Sequence, residues 1–324
     1  MKKIRIGIVG FGNLGKACKE LIEQSEEFEL VAVFSRRAVQ GTVAFDKIET
    51  FKDKIDVMLV CVASKEDAPK IVPEVAKTFN TVDSFDTHTK ITEYIVDIKK
   101  AWIAASQELR STVVDGRSTP RNDKVAIVAA GWDPGLMSVI RMYFSAFIPQ
   151  GPTQSFWGPG VSLGHSNALR QIDGVRDAVQ FTVPAKNVMK KAARGVKIES
   201  NKRHVRVCLI VATRADRARI RQEILGMLDY FAGQVVKVKF VSQAAFNKKF
   251  RDRTEHAGAV ISADDRSTAA FSLRLKSNAH FCASVMLAYA IANFNMQAAG
   301  QKGVFTATDI APKYLFRRDI LDLI

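Results

Sequence analysis

Gly10, Gly12 and Gly15 stand as G-x-G-x-x-G in IGIVGFGNLGKACKELI, residues 6 to 22. That spacing can seat a pyrophosphate. One glycine allows a tight turn, the second lets a phosphate approach the backbone, and the third lets a helix pack closely on its strand. Asn13 and Leu14, between the second and third, open the helix whose N-terminus would meet the anion. Further on, VFSRR supplies Ser35, Arg36 and Arg37 where an NAD-binding unit usually carries a carboxylate for the ribose 2'-hydroxyl. Two guanidiniums and a hydroxyl suit a 2'-phosphate instead, so NADP is the expected cofactor. Asp86 in TVDSFD and Asp133 in AAGWDPG each follow an apolar run, at the strand ends where ligands of open α/β sheets bind, and either can exchange protons there. Each could instead be a turn former or a helix cap.

The elements around these residues form a recognisable order. Lys3 to Val9 reads as a strand, Gly10 to Gly15 as a loop, Lys16 to Gln24 as a helix and Leu30 to Phe34 as a second strand. This is a β-α-β unit in about 30 residues, the context that a dinucleotide glycine motif needs. Further strands at Ile55 to Val62, Thr81 to Ser84 and Lys124 to Ala130 alternate with helical patterns. The expected class is α/β: a Rossmann doubly wound parallel sheet through residue 133, with a second α+β domain carrying a mixed sheet. The polar stretch 106 to 124 reads as a surface loop or insertion. After residue 134 the strands lengthen and alternate (HVRVCLIVA, VVKVKFV, FSLRLKS), which favours one antiparallel or mixed sheet. A helix pattern from Ala283 to Ala299 is expected to lead back to the first domain. The expected division is 1–133 with 297–324 for the dinucleotide and 134–296 for the substrate.

A second informative stretch is FWGPGVSLGHSNALR, residues 156 to 170, which packs Trp157, glycines and hydrogen-bonding residues into one loop before a helix. Such a loop can wrap a polar ligand with backbone groups. Its structural alternatives are Trp157 in the core, Ser166 as a helix N-cap and His165 as a structural hydrogen-bonder.

With 324 residues and 47% apolar composition the chain can fill two cores. No run of 18 apolar residues and no leader pattern is present, so a cytoplasmic protein without a membrane partner is expected. Cys18, Cys61, Cys208 and Cys282 are scattered and form no C-x-x-C pair, which argues for core thiols and against a metal site or a disulfide framework. Lys plus Arg outnumber Asp plus Glu by 48 to 33, a net charge of +15. The basic clusters lack interleaved aromatics, so a solvated face is expected and nucleic acid is not an expected partner.

The motifs GFGNLG, VFSRR, TVDSFDTH, GWDPG, FWGPG, GHS, FTVP and HVRVC occur in an order that resembles the meso-diaminopimelate dehydrogenase family across nearly the whole chain. GWDPG followed by FWGPG and GHS is the most specific part of this likeness. The resemblance implies a homodimeric, NADP-dependent oxidoreductase of lysine biosynthesis with a small-molecule substrate. It implies oxidative deamination, reversibly, of the D-configured carbon of meso-2,6-diaminopimelate to L-2-amino-6-oxopimelate and ammonia. It implies that Asp86 and Asp133 lie near the reacting amine and that Trp157 belongs to the substrate loop. By the same likeness Gly164, Thr182, Arg206, His256 and Asn278 hold the carboxylates and distal amine, and the region 134–296 also dimerises.

Four departures stand out. Leu163 replaces a glutamine common in the family, Asn167 replaces an aspartate, the segment before His256 is shorter, and residues 108 to 123 look inserted. An isobutyl group in place of an amide removes a donor and an acceptor, so looser selectivity at the substrate's distal end is expected. The alternatives are a broad NADP-dependent D-amino-acid dehydrogenase on the same fold and, from another class, a non-catalytic nucleotide-sensing or nucleic-acid-binding Rossmann protein.

Overall fold

In the computed structural model, which describes residues 2–111, 123–227, 231, 233–318 and 321, the opening apolar run forms β1 (Ile4–Val9). It is followed by α1 (Asn13–Glu23), β2 (Phe28–Ser35), β3 (Val43–Ala44), β4 (Val57–Val60), α2 (Ala68–Thr78), β5 (Thr81–Asp83), α3 (Ile91–Ser111) and β6 (Val125–Val128). Next come α4 (Leu136–Phe147), β7 (Thr153–Trp157), β8 (Gly160–Val161), α5 (Leu163–Arg170), β9 (Val175–Pro184) and α6 (Val188–Ala192). The chain continues through β10 (His204–Ala212), α7 (Arg217–Gly226), β11 (Val235–Phe240), α8 (Gln243–Lys249), β12 (His256–Ala263), β13 (Thr268–Leu275), α9 (Asn278–Ala298) and β14 (Gly303–Thr306). Two compact units result, Met1–Val139 with Ala279–Ile324, and Ile140–Asn278.

In the first unit seven strands line up as β14-β6-β5-β4-β1-β2-β3, and every neighbouring pair is parallel. This is the doubly wound order with one strand added, and its reversal falls between β1 and β4. The central strands are largely apolar because helices cover both faces. Period-two alternation sends Ile4, Ile6, Ile8, Val57, Leu59, Val125 and Ile127 into a core shared with α1 and α9. Met58, Val60, Ala126 and Val128 enter the opposite core, lined by α2 and α3. α9 is buried along most of its length, and its Asn293 is wholly buried. The Asn293 amide donates to the carbonyls of Thr81 and Val125 at 3.0 and 2.9 Å, tying the helix to β5 and β6.

The second unit contains two sheets where the sequence pointed to one. A four-stranded sheet runs β11-β10-β9-β8, with β10 parallel to β11 and antiparallel to β9. A three-stranded antiparallel sheet runs β13-β12-β7. The reason is local: Gly158 and Pro159 interrupt the extended chain after β7, and Gly158 takes φ +90°. The chain thereby leaves one sheet at Trp157 and enters the other at Gly160.

Two further boundaries differ from expectation. α3 extends to Ser111, into the stretch read as a loop, because no glycine or proline occurs before Gly116. Most of the expected insertion, 108 to 123, lies outside the described residues. α9 starts at Asn278, five residues before the expected Ala283. No described helix is long and apolar enough to cross a membrane.

Candidate active site

The glycine loop divides its work as its spacing predicts. A Cβ on Gly10, at φ +97°, would lie 2.5 Å from the Cys61 carbonyl oxygen, and one on Gly15 would lie 2.0 Å from the Gly10 carbonyl oxygen. Neither position has room for a side chain. At Gly12 nothing lies within 4 Å of such a Cβ. Gly12 is the N-cap of α1 and provides no side-chain cap, so the first helical amides at Asn13 and Leu14 are available to an anion. This cradle fits the pyrophosphate of a dinucleotide.

At the end of β2, a recess of about 520 Å³ is lined by Ser35, Arg36, Arg37, Gln40 and Thr42, among others. Ser35 Oγ accepts the Arg37 N–H at 3.1 Å. The half-exposed Arg36 guanidinium lies 2.6 Å from Asp67, at the head of α2. An ion pair so exposed adds little stability, but it restricts where the cation points.

Asp86 and Asp133 sit on adjacent loops of the same unit. A Cβ on Gly131 would meet Ser84 Cβ at 3.3 Å and Cys282 Sγ at 3.4 Å, so the loop after β6 packs against the loop after β5. Asp86 is exposed, and its N–H donates to Ser64 Oγ at 3.3 Å. Asp133 is half-buried in a tightly wound turn. There the N–H of Leu136 bonds the Gly131 carbonyl and that of Met137 the Trp132 carbonyl, at 3.0 and 2.9 Å. Gly135, at φ +124°, comes so near Gly131 that any Cβ would overlap its carbonyl oxygen.

Beneath both loops lies Asp83, which sequence reasoning passed over. It is 1% exposed, and its Oδ1 accepts the N–H of Phe85 at 2.8 Å and of Ala129 at 3.2 Å. Burial pushes its carboxyl up to about 6, against the two backbone N–H groups and the Tyr94 hydroxyl, which favour the ionised form. The signal for it was an aspartate closing a strand otherwise wholly buried.

In the second unit the substrate-binding candidates converge through strand register. Arg206 on β10 pairs with Thr182 on β9, which in turn pairs with Gly160. Trp157 on β7 pairs with Gly258 on β12, two residues beyond His256. The turn between β7 and β8 is wedged into this group: a Cβ on Gly158 would lie 2.0 Å from the Thr182 carbonyl oxygen, and one on Gly160 2.4 Å from His256 Cα.

Arg206 is 9% exposed. Its Nη1 donates to Thr182 Oγ1 at 2.5 Å and its Nε to Gln234 Oε1 at 2.6 Å. Burial lowers its pKa, and no carboxylate among the described residues offsets that effect. The guanidinium is therefore held by neutral groups, with no carboxylate counterion among the described residues.

His204 accepts the Trp157 backbone N–H at Nε2, 2.8 Å away. Burial, helped by the charges of Arg206 and Arg203, pushes this histidine down to about 3, which keeps Nε2 able to accept. The side chain of His256 is buried beside its own strand, with Nδ1 2.8 Å from the Ala257 N and O. The Asn278 N–H donates to the Thr254 carbonyl at 3.2 Å.

Leu163 heads α5 with 39% exposure, and the next residue, Gly164, has open space where a Cβ would be. Ser162, not Ser166, occupies the N-cap position of α5. Ser166 is buried and braces the loop: its hydroxyl donates to the Ser162 carbonyl at 2.6 Å and accepts the Gln180 N–H at 2.9 Å. His204, Gln180 and Gln234 escaped sequence reasoning because their roles depend on cross-strand neighbours.

The cysteines are free thiols, but three of them converge in the first unit although they lie far apart in the chain. Cys18 and Cys61 Sγ atoms lie 3.7 Å apart, and Cys282 acts electrostatically on Cys61. The contact with Cys18, and then burial, raise the pKa of Cys61, and burial raises that of Cys282, so both thiols resist ionisation.

Residues 131–277 match the profile of the Diaminopimelic acid dehydrogenase C-terminal domain. The chain is 40% identical to a Meso-diaminopimelate D-dehydrogenase of Lysinibacillus sphaericus, over 96% of this chain and 94% of that one. It superposes on the C. glutamicum DAP dehydrogenase in complex with DAP with a TM-score of 0.89 and 36% identity, covering 100% of this chain and 98% of the other. An engineered D-amino acid dehydrogenase bound to NADP+ gives a TM-score of 0.85 at 35% identity, covering 99% and 98%. A dinucleotide cradle, a pair of adjacent aspartate loops and a buried arginine, in a chain so similar along its length to these enzymes, identify a nicotinamide-dependent oxidoreductase that belongs to the meso-diaminopimelate dehydrogenase family.

Proposed function

We propose that this protein oxidatively deaminates the D-configured carbon of meso-2,6-diaminopimelate with NADP+ and water. The products are L-2-amino-6-oxopimelate, ammonia, NADPH and a proton, and the reaction is reversible. The observation that carries this reading is Arg206: a buried guanidinium, oriented by Thr182 and Gln234, without a carboxylate partner among the described residues. A substrate carboxylate supplies the missing charge, and the planar fork favours a two-point grip.

In this reading residues 1–133 with 297–324 hold the cofactor and 134–296 hold the substrate and dimerise. The open backbone at Gly12 and the amides of Asn13 and Leu14 hold the pyrophosphate. Ser35, Arg36 and Arg37 hold the 2'-phosphate that selects NADP over NAD. When bound, the nicotinamide accepts the hydride. Loss of hydride needs a neutral amine, so Asp133 or Asp86 takes a proton from the substrate ammonium, directly or through water. The imine that results is attacked by water, which the same carboxylate orients, and ammonia leaves. Thr182, Arg206, His256, Asn278 and the backbone at Gly164 fix the substrate, so much of the rate comes from alignment. The exposed apolar residues Met142 and Phe147 of α4 support a homodimer.

A second reading, a broader D-amino-acid dehydrogenase, is favoured by the exposed Leu163 beside the open Gly164. One experiment separates the two: initial rates from nicotinamide absorbance with NADP+ and with NAD+, on meso-diaminopimelate, D-alanine and D-leucine. Strong preference for the dicarboxylate with NADP+ supports the first reading, comparable rates on the simpler amino acids support the second, and no turnover on any of them removes both.

A further inference from the structure

Asp83 closes β5, and three acceptor contacts leave it. Oδ1 takes the N–H of Phe85, one residue before Asp86, at 2.8 Å. The same oxygen takes the N–H of Ala129 at 3.2 Å, and the Asp83 backbone carbonyl takes the N–H of Ala130 at 2.7 Å. Ala129 is a non-glycine residue in the left-handed region, at φ +53°. An L side chain rarely adopts that conformation without support, and here an acceptor fixes the N–H of the strained residue. From Ala129 the chain turns directly into Gly131, Trp132 and Asp133. One buried side chain therefore pins the start of both aspartate-bearing loops.

Its surroundings hold the carboxylate itself. Phe85 stacks on Tyr94 of α3 with ring centroids 3.9 Å apart and planes 9° apart, so the side of the pocket nearest α3 is closed by aromatic rings. Oδ2 is buried, and the Tyr94 hydroxyl is the side-chain group that favours the ionised carboxylate.

We infer that Asp83 is a positioning residue for the deamination, setting the relative placement of Asp86 and Asp133 through the Phe85 and Ala129 amides. The inference rests on the reading of Asp86 and Asp133 as the proton-handling pair. Asp83 touches neither substrate nor cofactor and acts through the two loops.

Kinetics of Asp83→Ala, Asp83→Asn, Asp86→Asn, Asp133→Asn and the double variant Asp83→Ala/Asp133→Asn decide it. Asp83→Ala is expected to lower kcat about a hundredfold, the scale of a one-ångström misplacement, while the KM for NADP+ is unchanged because the glycine loop is untouched. Asp83→Asn, whose Oδ1 can accept both amides, is expected to keep most of the activity. The double variant is expected to be no slower than Asp133→Asn alone, as for residues that act as a unit. If Asp83→Ala does not accumulate as folded protein, Asp83→Ser replaces it, since one short hydroxyl cannot bridge both amides. Retained kcat in both Asp86→Asn and Asp133→Asn would remove the carboxylate pair and this proposal with it. Loss of kcat in those two, with unchanged kcat in Asp83→Ala or with effects that multiply in the double variant, would overturn the positioning role alone.

Discussion

His204 and Trp157 are joined by a hydrogen bond from the Trp157 backbone N–H to the histidine Nε2, 2.8 Å long, with their rings 5.0 Å apart. The bond requires a neutral imidazole, and burial secures it by holding His204 down to about 3. Because the folded value is depressed below the unfolded one, the stability it contributes is complete above about pH 6.5 and is lost as pH falls towards 3. His204→Gln removes this contribution, roughly 5 kcal/mol across the window. Urea midpoints should show the gap between wild type and variant closing as pH drops, and a gap constant with pH would refute the assignment.

Asp83 has the opposite sign. Its folded value, about 6, lies above the unfolded one, so its stabilising effect is complete below about pH 3.8 and is lost as pH rises through 6. Tyr94 is the titratable group that acts on it. Asp83→Asn should therefore gain stability relative to wild type between pH 4 and pH 7, by up to roughly 3 kcal/mol. Thermal or urea unfolding at the two pH values measures the difference.

Arg206→Met deletes the buried charge and leaves Thr182 and Gln234 without it. For a substrate carboxylate gripped there, kcat/KM on meso-diaminopimelate should fall by at least about a hundredfold, near 3 kcal/mol. Cofactor affinity should not change. Arg206→Lys should recover only part of the loss, because an ammonium cannot reproduce the fork.

Arg36→Ala combined with Arg37→Ala should weaken NADP+ without weakening NAD+. A preference ratio reduced by roughly ten- to a hundredfold corresponds to about 1.4 to 3 kcal/mol of lost charge-assisted bonding. Arg36→Ala also frees Asp67 from its pairing at 2.6 Å, so a small loss of order at the head of α2 is expected. Steady-state KM values for the two cofactors provide the check.

Gly12→Ala and Gly15→Ala should fail in different ways. A methyl group at Gly12 meets nothing, so the protein should fold normally; if the pyrophosphate sits as proposed, it should bind the dinucleotide poorly. At Gly15 the methyl would lie 2.0 Å from the Gly10 carbonyl oxygen, so α1 must move away from β1. A destabilisation of about 2 kcal/mol or more is expected for such overpacking. Thermal melts and cofactor titrations of both variants test the contrast.

The parallel sheet was legible because its strands carry unbroken apolar runs and its helices a clear period, so both faces could be assigned from one chain. The glycine loop was legible for the same reason: spacing along the chain determines spacing in the turn. What escaped depends on partners distant in sequence. Asp83 reads as one more strand-end aspartate until Ala129, a residue of another strand's exit, is seen donating to it. Gln234 could not be tied to Arg206 before β10 and β11 were known to pair in parallel. The split of the second unit into two sheets turned on Gly158 and Pro159, an interruption too short to distinguish from a bend. Cys18, Cys61 and Cys282 looked scattered because α1, β4 and α9 meet only after folding.

The core beneath β1, β5 and β6 depends on α9, whose Asn293 closes the carbonyls of Thr81 and Val125. Between β6 and α9 the chain inserts the whole of the second unit. On the ribosome, therefore, the first unit waits, one face uncovered, while the contiguous middle segment is made and can already assemble. Residues 1–139 released alone would expose that face to water and aggregate, whereas a circular permutant that joins residues 279–324 ahead of residue 1 would let this half mature first.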